Sequence, residues 1–149
     1  MIGVSYGAFM TSWVIGHTYV FKAACSEAAI NNVATHFGTS DIGWHWTINE
    51  QGGVPPWEDV GRCVDRSSVT YALSIHTPLL IVHDEPDMCC SIAEGKQLFV
   101  ALKRLAREVV LVRVPVARHG FGVYGRPRQR LKRFRIVLDW FAKYLRPGS

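Results

Sequence analysis

Thr77-Pro78-Leu79-Leu80-Ile81-Val82-His83 is a continuous apolar run, opened by a proline and closed by the polar turn Asp84-Glu85-Pro86-Asp87. A strand with one wet face alternates apolar and polar residues, whereas a strand apolar at every position is buried on both faces, as in parallel sheets covered by helices. Parallel strands need crossovers of a dozen or more residues, usually helical. The following chain has that form. From Ser91 to about Arg107, Leu98, Leu102 and Leu105 form an apolar stripe, with Ser91 as N-cap and Glu94 three residues later as its capping-box partner. Glu108 to Pro115 reads as the next strand, Ala117 to Gly122 as a glycine-bearing loop, and Arg128 to Leu145 as a final amphipathic helix. Strand, helix, strand, loop, helix predicts an α/β fold with a doubly wound sheet.

A pentapeptide near the start gives such a sheet a chemical use. Gly3-Val4-Ser5-Tyr6-Gly7 has the form G-x-S-x-G and runs into a segment in which Phe9, Met10, Trp13 and Val14 recur at helical spacings, with Gly16 to end it near His17. Glycines two positions either side of a serine remove Cβ atoms where strand meets helix, so the hydroxyl is held out on a sharp turn. The serine then lies at a helix N-terminus, which favours developing negative charge. Met1 to Val4 is short for the strand that feeds such a turn, so a cut sheet is expected. Further on, Phe21-Lys22-Ala23-Ala24-Cys25-Ser26 predicts a short buried strand. Between Ile30 and Ser68, Gly38, Gly43, Gly52-Gly53 and Pro55-Pro56 predict an excursion of short helices and loops. Its aromatics Phe37, Trp44, Trp46 and Trp57 either pack it down or line a pocket.

With 149 residues, 48% hydrophobic and 11% aromatic, the chain is sized for one globular domain. The formal net charge of +5 is concentrated in Arg126, Arg128, Arg130, Lys132, Arg133 and Arg135. Most of these fall on the last predicted helix and read as its solvated face, so no nucleic-acid partner is expected. Cys25, Cys63, Cys89 and Cys90 form no C-x-x-C pair and no metal-ligand spacing, so no disulfide framework, metal or other cofactor is expected. No charged, apolar and cleavable leader opens the chain, and no apolar run reaches about 18 residues. Neither secretion nor a membrane partner is expected, and a cytoplasmic setting is the default.

Ligands of doubly wound sheets bind at the carboxyl ends of the strands, where Ser5, Asp87 and His119 all fall. Serine hydrolases on such sheets order their triad Ser, acid, His along the chain. In that order His119 takes the Ser5 proton and returns it to the leaving group, while Asp87 holds the imidazole tautomer. The backbone N–H of Tyr6 is then an oxyanion donor. Asp84 and Glu85 compete for the acid role. His83 competes for the base role, although a histidine ending a buried strand is more often a satisfied core residue.

Several stretches resemble one family closely: G-V-S-Y-G-A-F-M-T (3–11), F-K-A-A (21–24), G-T-S-D-I-G-W (38–44), P-W-E-D (56–59), T-P-L-L-I-V-H-x-E-x-D (77–87), E-G-K-Q-L-F-V-A-L-K-R-L (94–105) and H-G-x-x-x-x-G-R-P (119–127). They resemble the C-terminal catalytic region of prolyl oligopeptidase family serine peptidases, in the acylaminoacyl-peptidase-like branch, over nearly the whole chain. The resemblance implies an α/β-hydrolase fold, Ser5 as nucleophile, Asp87 rather than Asp84 as acid, and His119 as base. It also implies a β-propeller and several early strands ahead of the serine, one of whose loops provides a second oxyanion donor. Residues 1–149 are therefore expected to form a partial catalytic domain: a truncated α/β-hydrolase core of about four mainly parallel strands flanked by helices.

The departures also carry expectations. Val4 and Ala8 stand where the family typically has glycines, and Cys89 and Ser91 where it has arginine and proline. The Cys89-Cys90 pair is expected to be two buried, inert thiols, with oxidation beside the site as the alternative. The expected reaction is hydrolysis of a small ester or short peptide through an acyl-enzyme on Ser5, with short-chain esters the easier substrates. The rival expectation is a catalytically impaired fragment acting as a binding or assembly module, because losing one oxyanion donor costs about a hundred- to a thousandfold in rate. The sheet edge beside the first strand is expected to pair with a second copy, giving a homo-oligomer.

Overall fold

The computed structural model describes residues 1–115 and 118–145; Ala117, first residue of the predicted loop, lies outside them. The elements run β1 (Ile2–Val4), α1 (Tyr6–Val14), β2 (Ala24–Glu27), α2 (Val33–Thr39), α3 (Gly43–Glu50), α4 (Val60–Arg66), a 3-10 segment (Ser68–Ser74), β3 (Leu79–Asp84), α5 (Ile92–Arg104), β4 (Val109–Val114), α6 (Phe121–Tyr124) and α7 (Pro127–Leu145). The strands lie side by side in chain order, and every neighbouring pair is parallel. One row of the ladder reads Ile2, Cys25, Leu80, Val110 across the sheet.

The β3 run is buried at all six positions. Leu79 and Ile81 face one core, shared with Ile15, Ile75, Leu98 and Leu102. Leu80 and Val82 face the opposite core, built with Cys25, Phe121, Val137 and Trp140. Burying each such side chain is worth about 1.5–3 kcal/mol, so β3 is the strand the two cores share and depend on. Helix α7 begins on Pro127, whose missing N–H costs nothing in a first turn, and is pinned where Trp140 Nε1 donates to the Ala24 carbonyl at 3.0 Å.

Two local expectations are corrected. The second strand begins at Ala24 rather than Phe21, because its partner strand begins after Pro78: Ala24 N–H donates to the Pro78 carbonyl at 2.9 Å, and proline has no N–H to extend the ladder. The capping box of α5 is half made. Ser91 Oγ accepts from Ala93 N–H at 3.3 Å, but the Glu94 carboxylate turns to another element. It accepts from Asn31 N–H (3.0 Å), Asn32 N–H (2.7 Å) and Thr35 Oγ1–H (2.6 Å), tying α5 to the entrance of α2. Burial pushes the Glu94 carboxyl above its ordinary range, and these donors pull it back.

The predicted excursion is α2, α3 and α4, with Asn32 and Asp59 side chains capping α2 and α4. Its aromatics divide. Trp46 packs edge-on against Phe9 at 5.8 Å and His36 at 5.2 Å, whereas Trp44 and Trp57 are exposed. No helix among the described residues is long and apolar enough to cross a membrane.

Candidate active site

Three elements deliver the predicted residues to one place. Ser5 stands between β1 and α1 with φ 56° and ψ −121°, a left-handed conformation that a side chain adopts under strain. Its N–H donates to the Glu27 carbonyl at 2.9 Å, and its own carbonyl accepts from Ala8 and Phe9 N–H, both at 2.9 Å. The strained turn is thereby held from strand and helix at once. The two glycines of the pentapeptide are not equivalent. A Cβ on Gly3 would lie 2.1 Å from the Gly7 carbonyl oxygen, while a Cβ on Gly7 would meet nothing within 4 Å. Close approach requires glycine before the serine and leaves the later position open. The Tyr6 N–H, in the first turn of α1, has no acceptor within its own helix.

Asp87 lies in the turn after β3 and is 4% exposed. Its Oδ1 accepts from the backbone N–H groups of Cys89 (2.9 Å) and Cys90 (2.8 Å), which leaves Oδ2 aimed at the histidine. His119 follows β4, beside left-handed Gly120, the N-cap of α6. Its Nδ1 is 2.8 Å from Asp87 Oδ2 and its Nε2 is 2.8 Å from Ser5 Oγ. A carboxylate can only accept, so in the neutral ring Nδ1 carries the proton and donates to Asp87, and Nε2 is free to accept from the Ser5 hydroxyl.

The competing residues are placed elsewhere. His83 is fully buried, with Nε2 2.7 Å from the Cys90 carbonyl, so that nitrogen donates; burial pushes its pKa down. Glu85 pairs with Arg113 at 2.6 Å. Asp84 is buried, and neither carboxylate oxygen has a hydrogen-bond partner among the described residues. Burial, then the nearby Asp87 charge, pushes its pKa up to about 7.

Cys89 departs from expectation. Cys90 is buried, and its thiol is pushed up by its bond with Cys89 and by burial. Cys89 is only half-buried, and hydrogen bonds from Cys90 and His119 hold its thiol down to about 5. His119 is correspondingly pushed up to about 10, first by the bond to Asp87 and then by the bond to Cys89. No local sequence signal marks this contact, which arises because the turn that caps Asp87 Oδ1 also swings the Cys89 side chain onto His119.

A sequence profile of the prolyl oligopeptidase family matches residues 1–148. The chain belongs to the prolyl oligopeptidase family. A Bacillus subtilis (strain 168) family member described as the uncharacterized peptidase YuxL is 44% identical over 143 residues, which is 96% of this chain and 22% of the relative. An acylamino-acid-releasing enzyme of Arabidopsis thaliana is 29% identical over 152 residues, 97% of this chain and 19% of that protein. Among solved structures, Pyrococcus horikoshii acylaminoacyl peptidase superposes with a TM-score of 0.92 at 32% identity, over 99% of this chain and 24% of that one. A Mycobacterium tuberculosis puromycin-hydrolyzing peptidase, at 19% identity and a TM-score of 0.85, shares the fold. The chain spans about a fifth of the length of the curated relatives it matches. As a prolyl oligopeptidase family chain it has an α/β-hydrolase fold, built among the described residues from four parallel strands flanked by helices.

Proposed function

We propose that this chain is the catalytic part of a serine hydrolase that cleaves peptide or ester bonds through an acyl-enzyme, with Ser5 as nucleophile, His119 as base and Asp87 as its orienting acid. The observation that carries the reading is the continuous run Ser5 Oγ, His119, Asp87, with 2.8 Å at each junction. Membership of a peptidase family supports it.

In this reading Ser5 Oγ attacks the substrate carbonyl carbon as its proton passes to His119 Nε2. The carbonyl oxygen becomes an oxyanion beside the Tyr6 N–H, a donor of a kind worth about 3 kcal/mol. Asp87 stays ionised and stabilises the imidazolium. As the carbonyl–heteroatom bond breaks, His119 returns the proton to the leaving group. Water then repeats the cycle on the acyl-serine, His119 taking its proton and giving it back to Ser5. Activated short-chain esters are the easier substrates, because their leaving groups need little protonation. Peptides and acylaminoacyl peptides are the harder ones. A hollow of about 290 Å³ opens beside the elbow, with Tyr6, Phe9, Met10 and Trp13 on its apolar side and Glu50, Gln51, Asp65 and Arg66 on its polar side, and suits a substrate group that is apolar on one side and polar on the other.

The experiment is hydrolysis of short-chain nitrophenyl esters by the wild-type chain and by Ser5→Ala. The proposal expects turnover in the first and background in the second. Equal rates would leave the chain as a binding or assembly module.

A further inference from the structure

Among the described residues, two thiols that the hydrolytic reading leaves unused lie beside its base. Cys89 Sγ, Cys90 Sγ and a ring nitrogen of His119 all lie within 4.8 Å of one another. Both cysteines are free thiols. Sequence spacing could not announce this set, since the histidine comes from a different loop.

The arrangement is preorganised. The Cys89 and Cys90 N–H groups both donate to Asp87 Oδ1, which fixes the backbone of the vicinal pair, and Asp87 Oδ2 fixes the imidazole. Two sulfurs and one imidazole nitrogen form a soft donor set that selects against magnesium and calcium and suits zinc. Tetrahedral zinc, with bonds of about 2.3 Å to sulfur and 2.0–2.1 Å to nitrogen, sets its ligand atoms about 3.5–3.8 Å apart. With all three atoms within 4.8 Å of one another, their separations have to close by about 1 Å at most, within the reach of a rotation about Cα–Cβ of the cysteines. Three protein ligands leave the fourth position open to water.

We propose that Cys89, Cys90 and His119 form a zinc site whose occupation switches hydrolysis off reversibly. Binding releases to solvent the Cys90 thiol proton and one ring proton of the His119 imidazolium, as the metal–sulfur and metal–nitrogen bonds form. The inhibition follows from the two ring nitrogens of His119, one engaged by Asp87 and the other by Ser5. A metal on Nε2 displaces Ser5; a metal on Nδ1 displaces Asp87. The Nε2 choice keeps Nδ1–H on Asp87, the carboxylate–histidine–metal arrangement that orients zinc ligands elsewhere. Metal binding itself does not depend on Ser5 being a nucleophile; only the inhibition rests on the proposed function.

The test measures zinc uptake by equilibrium dialysis, and thiolate-to-metal charge transfer with cadmium as the spectroscopic probe, on the full chain. Wild type and Ser5→Ala are expected to take up one ion per chain with a charge-transfer band. Cys90→Ala, Cys89→Ala and the double variant are expected to lose at least about tenfold in affinity, the double variant losing the band as well. Zinc is further expected to inhibit ester hydrolysis by wild type and a chelator to restore it, whereas the double variant, measured against its own zinc-free rate, is expected to resist zinc. Failure of wild type to bind zinc, or binding unchanged in the folded double variant, would overturn the site. If zinc binds through the cysteines but the ester rate is unaffected, the switch is overturned. If wild type has no ester turnover, uptake by Ser5→Ala still decides the site, and the proposed function fails separately.

Discussion

Replacing Cys89 by alanine is expected to move the pH profile of hydrolysis to lower pH. His119 is pushed up to about 10, so at pH 7 about one ring in a thousand is neutral and able to accept the Ser5 proton. The sign follows from which form works: the base is competent only when deprotonated, so kcat/KM rises about tenfold per pH unit until the folded-state value is passed. Asp87 is the first cause of the rise, and its bond is unchanged in the variant. Cys89, held down to about 5, is the second, and presents a thiolate to the imidazolium. A hydrogen bond between charged groups is worth about 1.5–3 kcal/mol, or about 1–2 pH units. At pH 7 the variant is therefore expected to exceed wild type in kcat/KM by about 10- to 100-fold, with the two converging near the upper end. The assay is ester hydrolysis between about pH 6 and pH 10, with a chelator present so that His119 is metal-free. Superimposed profiles, or a variant limb displaced to higher pH, would refute the reasoning.

Three further outcomes follow from packing. Gly3→Ala places a Cβ 2.1 Å from the Gly7 carbonyl oxygen, where backbone must yield at about 1–3 kcal/mol or more, so active-site labelling is expected to fall. Gly7→Ala, which meets nothing within 4 Å, is expected to keep it, and the reverse order would contradict the account of the elbow. Arg133→Ala strands the Glu27 carboxylate, 2% exposed and bonded at 2.5 and 2.6 Å, and is expected to cost about 3–5 kcal/mol in denaturant unfolding; an unmoved midpoint would count against it. Strand β1 pairs only with β2 among the described residues, so the 149-residue chain alone is expected to self-associate along that edge, and light scattering of a monodisperse monomer would say otherwise.

What was legible in the sequence was what a short window encodes. Five apolar residues without alternation, Pro78 to Val82, locate β3, because a strand covered on both faces lacks the alternating polar positions of a half-wet one. The order Ser5, Asp87, His119 on loops after strands is a topological pattern, and the structure brings these three together. What was not legible depends on partners far away in the chain. Ser91 and Glu94 have capping-box spacing, but Asn31, Asn32 and Thr35 offer Glu94 three donors from another element, and those bonds win. Gly7 looks as constrained as Gly3 in the motif, yet only the approach of helix backbone to Gly3 makes a glycine obligatory. Cys89 looked inert because nothing local tells whether a thiol meets core or imidazole. Its contact arises from the turn that caps Asp87, 32 residues before His119.

Mapping the residue modified by a fluorophosphonate probe tests the central claim most directly, because the probe reports an activated serine without requiring a known substrate. Labelling is expected on Ser5 alone in the folded chain and is expected to be abolished in His119→Ala. Label on another residue, or an unlabelled Ser5 in a chain whose fold is intact, would contradict the account.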